Sequence, residues 1–183
     1  MVCGHNKWGG GMNILSVIVV LFVLLCLYSA VFVVEQQTVS IVARLGKFIR
    51  GATPGLNFKI PFIDRVVGRI SLRVLQLDVP VETKTQDNVF IKLSISVQYL
   101  VKADRIYDAF YRLTDPDSQI TSYIFDVVRA QVPKLKLDDV FEKKDNIANA
   151  VKDELSDQMG SFGYDIIKAL VTDIDLMQKL RLP

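Results

Sequence analysis

Two groups of residues have the types that chemistry needs. Cys3 and His5 offer a thiol and an imidazole close together, the beginning of a metal site. Asp138, Asp139 and Glu142 offer neighbouring carboxylates of the kind used in general acid–base work. Neither group is completed by the rest of the chain. A tetrahedral metal site takes three or four protein ligands. His5 is the sole histidine, and the second cysteine, Cys26, falls inside an apolar run. The three carboxylates stand where a helix is expected to begin, where acidic side chains complement the macrodipole and supply caps. Gly9-Gly10-Gly11 lacks the following lysine and serine or threonine of a phosphate-binding loop, and no G-x-S-x-G elbow occurs. The expectation is a protein that is not an enzyme and uses no cofactor and no metal.

The elements that would position any function begin with residues 14–34, which open at Ile14, close at Val34 and contain no charge. As a helix rising 1.5 Å per residue, this run would span about 31 Å, close to the ~30 Å hydrocarbon core of a bilayer. It is therefore expected to be a single transmembrane helix. A cleaved secretory signal has a shorter core, about 7–15 residues, and ends in small residues. Here the best cleavage position would require Tyr28 to act as one of them. Leu25 stands where a lipoprotein signal needs a small residue before Cys26. Arg44, Lys47 and Arg50 follow the run, whereas Lys7 and the terminal amine precede it. The positive-inside rule then places the C-terminal domain in the cytoplasm. Trp8 suits the interfacial zone.

The remaining residues suffice for one ordinary domain. Lysine and arginine number 22 against 20 aspartate and glutamate, a net charge of +2, with no basic stripe interleaved with aromatics, so no nucleic acid is expected. Residues 38–43 alternate as a strand, and Arg44-Leu45-Gly46-Lys47 reads as a turn. In residues 89–101, Val89, Ile91, Leu93, Ile95, Val97, Tyr99 and Val101 share one face, opposite Lys92, Ser94, Ser96 and Gln98. Asp87-Asn88 is a turn signal that pairs this strand with residues 72–85. The period then becomes helical: Ile106, Ala109, Phe110 and Leu113; Ile120, Tyr123, Ile124, Val127 and Val128 after Asp115-Pro116; and Ile147, Ala150, Val151, Leu155 and Met159 before Gly160. Residues 164–175 read as a closing strand. The expected fold class is α+β, strand-rich first and helix-rich second. The expected organisation is a flexible tail over residues 1–13, a transmembrane helix over 14–34, a domain over 35–175 and a short tail over 176–183.

Several of these segments resemble one family. Val39-x-Ile41, Arg44-Leu45-Gly46-Lys47, Pro54-Gly55-Leu56-x-Phe58 and Pro61-Phe62-Ile63-Asp64 after an apolar run are similar to the SPFH or band 7 superfamily of stomatins, prohibitins and flotillins. Residues 72–79, 82–90 and 96–99 resemble its hypersensitive-induced-reaction branch. So do Asp108-Ala109-Phe110-Tyr111, residues 125–130, and Val132-Pro133-Lys134-Leu135 with the segment 137–142. The resemblance implies an SPFH domain acting as a membrane-anchored scaffold. Such a scaffold associates with membrane lipid, forms homo-oligomers, organises membrane microdomains and modulates membrane proteases or channels. Concentration in two dimensions would strengthen modest lateral contacts. The alternative is an adaptor that binds one membrane protease or channel through the outer side of the strand at 89–101. The stretch bearing Phe58, Ile60, Phe62 and Ile63 admits two readings, contact with the membrane interface or a buried strand and turn. The chain departs from the family pattern twice. Val2 replaces the glycine that myristoylation requires, so the apolar run is expected to substitute for a lipid anchor. Family chains continue into a long coiled coil, which is not expected within the residues that follow 175.

Overall fold

A computed structural model describes residues 14–176. The predicted leading tail, with Cys3, His5 and Trp8, and residues 177–183 lie outside the described residues. The apolar run does not form one element. Helix α1 covers Ile14–Ala30, and strand β1 takes over at Val31–Val34. Three of the four residues in β1 are valine, which suits a pleated surface. They pair antiparallel with β4 (Gly55–Phe58), with Val31 opposite Phe58 and Val34 opposite Gly55. The Lys59 N–H donates to the Ala30 carbonyl at 2.8 Å and ties the helix end to this ribbon.

Seventeen helical residues reach about 26 Å at 1.5 Å each, short of the ~30 Å hydrocarbon core. Among the described residues no helix is long and apolar enough to cross a membrane. The expected transmembrane helix from Ile14 to Val34 is thereby corrected, and the single-pass, cytoplasmic-domain topology that rested on it loses its support. The physical reason lies in the last four residues. Val34 is buried against Val42 and Ala52, so this end of the run serves a protein core.

The α+β mixture follows the expected order, strands first, then helices, then a closing strand. Strands β2 (Thr38–Arg44), β3 (Lys47–Ala52) and β5 (Asp64–Ser71) make one antiparallel sheet in the order β3-β2-β5. Strand β2 is central and buried on both faces: Val42 meets Val34 and Ala52, while Val39, Ile41 and Ala43 face the other way. Strands β6 (Leu75–Lys84), β7 (Phe90–Val101) and β8 (Tyr164–Leu176) make a second sheet with β7 in the centre. Pro80 sits in β6, an edge strand, where its missing N–H is tolerated.

One face of the second sheet is covered by α3 (Pro116–Gln131) and α5 (Lys144–Gly160). The alternating residues of β7 meet Ile120, Ile124 and Val128 from α3 and Val151, Leu155 and Met159 from α5. Asp115 caps α3 by accepting from the Ser118 N–H at 3.1 Å, with Pro116 in the first turn. The short helix α4 (Leu137–Glu142) precedes α5. Strand β8 departs from strict alternation because its register slips twice, leaving Ile167 and Thr172 as extra residues.

Helix α2 (Ile106–Tyr111) joins the two halves by lying on the first sheet. It fits because Gly68, opposite Ile41 on β5, leaves room for the Phe110 ring, while Gly51, opposite Ile41 on β3, makes room for Val39 within the sheet. A Cβ on Gly68 would lie 2.4 Å from the Phe110 ring, and one on Gly51 would lie 2.8 Å from Val39. Gly68→Ala is expected to destabilise the fold by about 1–3 kcal/mol through this overlap. Gly160→Ala, in open space at the end of α5, is the control and is expected to be neutral or slightly stabilising. Chemical denaturation of both variants checks the difference.

Candidate functional site

The first sheet ends in two tips held by one ion pair. Arg44, the last residue of β2, donates to Asp64, the first of β5, from Nε at 2.7 Å and from Nη2 at 3.2 Å. Asp64 Oδ2 also accepts the Ile60 N–H at 2.9 Å, and the Asp64 N–H donates to the Ile60 carbonyl at 2.9 Å. Residues 60–64 are thus closed into a tight loop around a buried carboxylate. On the other side of Arg44, Leu45 and Gly46 make the two-residue turn into β3, with Lys47 paired back to Arg44.

Both tips carry large apolar side chains on unfavourable backbone. Leu45 has φ +48° and Phe62 has φ +69°. Bulky residues rarely occupy the left-handed region, and such strain costs on the order of 1–3 kcal/mol per residue. Yet Leu45 is 88% exposed and Phe62 79% exposed. At Leu45 the two-residue turn with Gly46, φ +84°, requires the positive φ, but packing within the chain does not account for the exposure of either side chain. Between the tips runs a groove of ≈390 Å³, with Ala43 and Leu45 on one side, Phe62 and Ile63 on the other, and Arg65 among its lining residues.

The structure places all four sequence-predicted contact residues, Phe58, Ile60, Phe62 and Ile63, on the exposed surface. It brings them next to the end of α1, because Phe58 pairs with Val31 and Lys59 bonds to Ala30. Leu45 and Leu56 join them, and neither stands out in the sequence. Leu45 looks like an ordinary turn residue until its positive φ and exposure are seen. The predicted ends of the run part company: Ile14 is exposed at the start of α1, whereas Val34 is buried in β1. No residue of α1 is buried, so an apolar helix is uncovered on every side.

The hydrogen bonds from Arg44, then that from the Ile60 amide, hold the Asp64 carboxyl below its ordinary value. A depressed carboxylate contributes stability that is fully present above its unfolded value, near pH 4, and is lost as pH falls through the lower folded one. The 60–64 loop is thus expected to stay clamped at neutral and mildly acidic pH. Its amides should lose hydrogen-exchange protection only in stronger acid. In Asp64→Asn the protection should already be reduced at neutral pH, with no acid transition left at this loop.

The carboxylates at 138–142 do not form a site. Asp138 and Asp139 lie in the first turn of α4, where they complement the helix dipole. They are not its caps, because Lys136 holds the N-cap position without a side-chain bond. Asp139 is paired with Lys143 at 3.0 Å, which lowers its carboxyl below the usual value. A hollow of ≈380 Å³ between β3 and α2 has Arg50, Asp104 and Tyr107 among its lining residues, and Arg50 Nη2 already donates to the Phe58 carbonyl at 2.6 Å.

These observations define a class of protein: an α+β domain with a clamped apolar end, continuous with an uncovered apolar helix. Comparison with known proteins makes the class specific. The model of the SPFH domain / Band 7 family matches residues 32–181, and the chain belongs to that family. It is 46% identical over 142 residues to Hypersensitive-induced response protein 4 of Arabidopsis thaliana, covering 77% of this chain and 49% of that protein. It is 30% identical over 154 residues to human "Stomatin-like protein 2, mitochondrial", covering 84% of this chain and 43% of that protein. The chain thus spans less than half the length of these curated relatives. The family resemblance carried by the motifs is upheld.

Proposed function

We propose that the protein is a non-enzymatic, membrane-associated scaffold that self-associates at the membrane and organises lipid microdomains or membrane-protein complexes. The observation that carries this reading is the uncovered apolar surface, formed by the seventeen residues of α1 and the adjoining tips at Leu45, Phe58 and Phe62. Leaving a large apolar side chain in water instead of burying it costs about 1.5–3 kcal/mol. Repeated along α1, this amounts to a penalty on the order of tens of kcal/mol. Lipid removes that penalty when the helix and tips lodge in one face of the bilayer, with no need for the helix to cross it. Held there, neighbouring copies meet at high effective concentration, so weak lateral contacts suffice for assembly.

Blue-native electrophoresis of the mildly solubilised membrane fraction, combined with cross-linking, tests the reading. The full chain is expected in the membrane fraction, at a mass far above its 20.6 kDa and with cross-links between copies. A chain absent from membranes refutes membrane association. A monomer without self-contacts refutes the scaffold, and one dominant foreign membrane protein in the cross-links would replace it with an adaptor.

A further inference from the structure

We infer that the apolar end is built for an anionic lipid surface in preference to a neutral one, an inference that rests on the membrane reading above. The net charge of +2 conceals a sharp division. Residues 36–73, which hold β2 to β5 and both tips, carry seven lysines and arginines against one carboxylate, Asp64. Residues 74–176 carry twelve against eighteen. The positive half of this dipole is the half that bears the apolar tips.

The placement of the cations is more telling than their number. Lys47 follows Leu45 by two positions, Lys59 lies between Phe58 and Ile60, and Arg65 follows Ile63 by two. Lys47 and Arg65 are exposed and Lys59 is half-buried. Among the described residues, none of the three side chains makes an ion pair or hydrogen bond. The one carboxylate nearby is neutralised by Arg44. An aliphatic stem lying along apolar surface with its charged head at the water boundary is the arrangement that a lipid interface favours. The acidic half of a second copy has the complementary sign, but it would set carboxylates against the interleaved Leu45, Phe58 and Ile60. An anionic bilayer accommodates both the apolar tips and their cations.

Each lysine or arginine near an anionic surface raises affinity roughly fivefold, and salt screens the effect. The test is flotation of the full chain, synthesised cell-free with vesicles of phosphatidylcholine alone or of equal parts phosphatidylcholine and phosphatidylglycerol. The chain is expected to bind both, with a preference of roughly tenfold to hundredfold for phosphatidylglycerol that high salt erodes. Lys47→Gln/Lys59→Gln/Arg65→Gln should lose the preference yet still float with phosphatidylcholine. Lys47→Arg/Lys59→Arg/Arg65→Lys should keep the preference. Equal binding to both compositions overturns the inference and leaves the membrane reading intact. A preference that survives neutralisation of the three cations also overturns it. Failure to float with either composition overturns both readings, and salt-sensitive self-association without lipid preference assigns the positive pole to a second copy instead.

Discussion

Leu21→Arg is expected to lower vesicle binding of the full chain roughly hundredfold, because a guanidinium within hydrocarbon raises insertion free energy by about 3 kcal/mol. Leu21 lies near the middle of α1, exposed and remote from both cores. The same substitution should leave the thermal unfolding of the domain unchanged, since α1 contributes no residue to either hydrophobic cluster. Flotation and a melting curve in mild detergent read the two effects separately. Undiminished vesicle binding would mean that something other than lipid covers α1, and the proposed mode of membrane association would fail.

Leu93→Ala should show the opposite pattern. Leu93 is fully buried in the central strand β7, with Val81 beside it on one neighbour and Ile174 on the other. Removing its isobutyl group leaves a cavity that β6 and β8 cannot close, at a cost of about 2–5 kcal/mol. For a chain of this size the melting temperature should fall by about 10 °C. Vesicle binding of the folded fraction should be unaffected. If Leu93→Ala weakened vesicle binding as much as Leu21→Arg does, the separation between a protein core and a lipid-facing surface would be wrong.

These two leucines show which parts of the molecule are legible from its residues. Leu93 belongs to a run that alternates from Val89 to Val101, and the burial of β7 follows that alternation except at Ser96, which is buried on the opposite face beside Asp78. The start of α3 is equally local, since Asp115-Pro116 caps and opens the helix within one turn. The tips are different. Arg44 and Asp64 are twenty positions apart and meet only because β2 pairs with β5. Phe62 is held at positive φ without being glycine or asparagine, so no turn signal marks its conformation, whereas the turn at Leu45-Gly46 is legible but the exposure of Leu45 is not. Strands β1 and β4 have four residues each, too short for a period to emerge. The break between α4 and α5 at Lys143 carries no glycine or proline.

By itself the sequence determined the α+β composition, the order of strands and helices, the alternating core of β7 and, through its motifs, the family. The tertiary structure alone decided where the apolar run changes role. Residues 14–34 are uniformly apolar because both of their destinations reward removal from water: α1 stays uncovered, whereas Val34 closes a small core with Val42 and Ala52. Hydropathy measures departure from water and is indifferent to what replaces it. Only the pairing of Val31–Val34 with Gly55–Phe58 ends the helix at Ala30, so that among the described residues no helix is long enough to cross a bilayer.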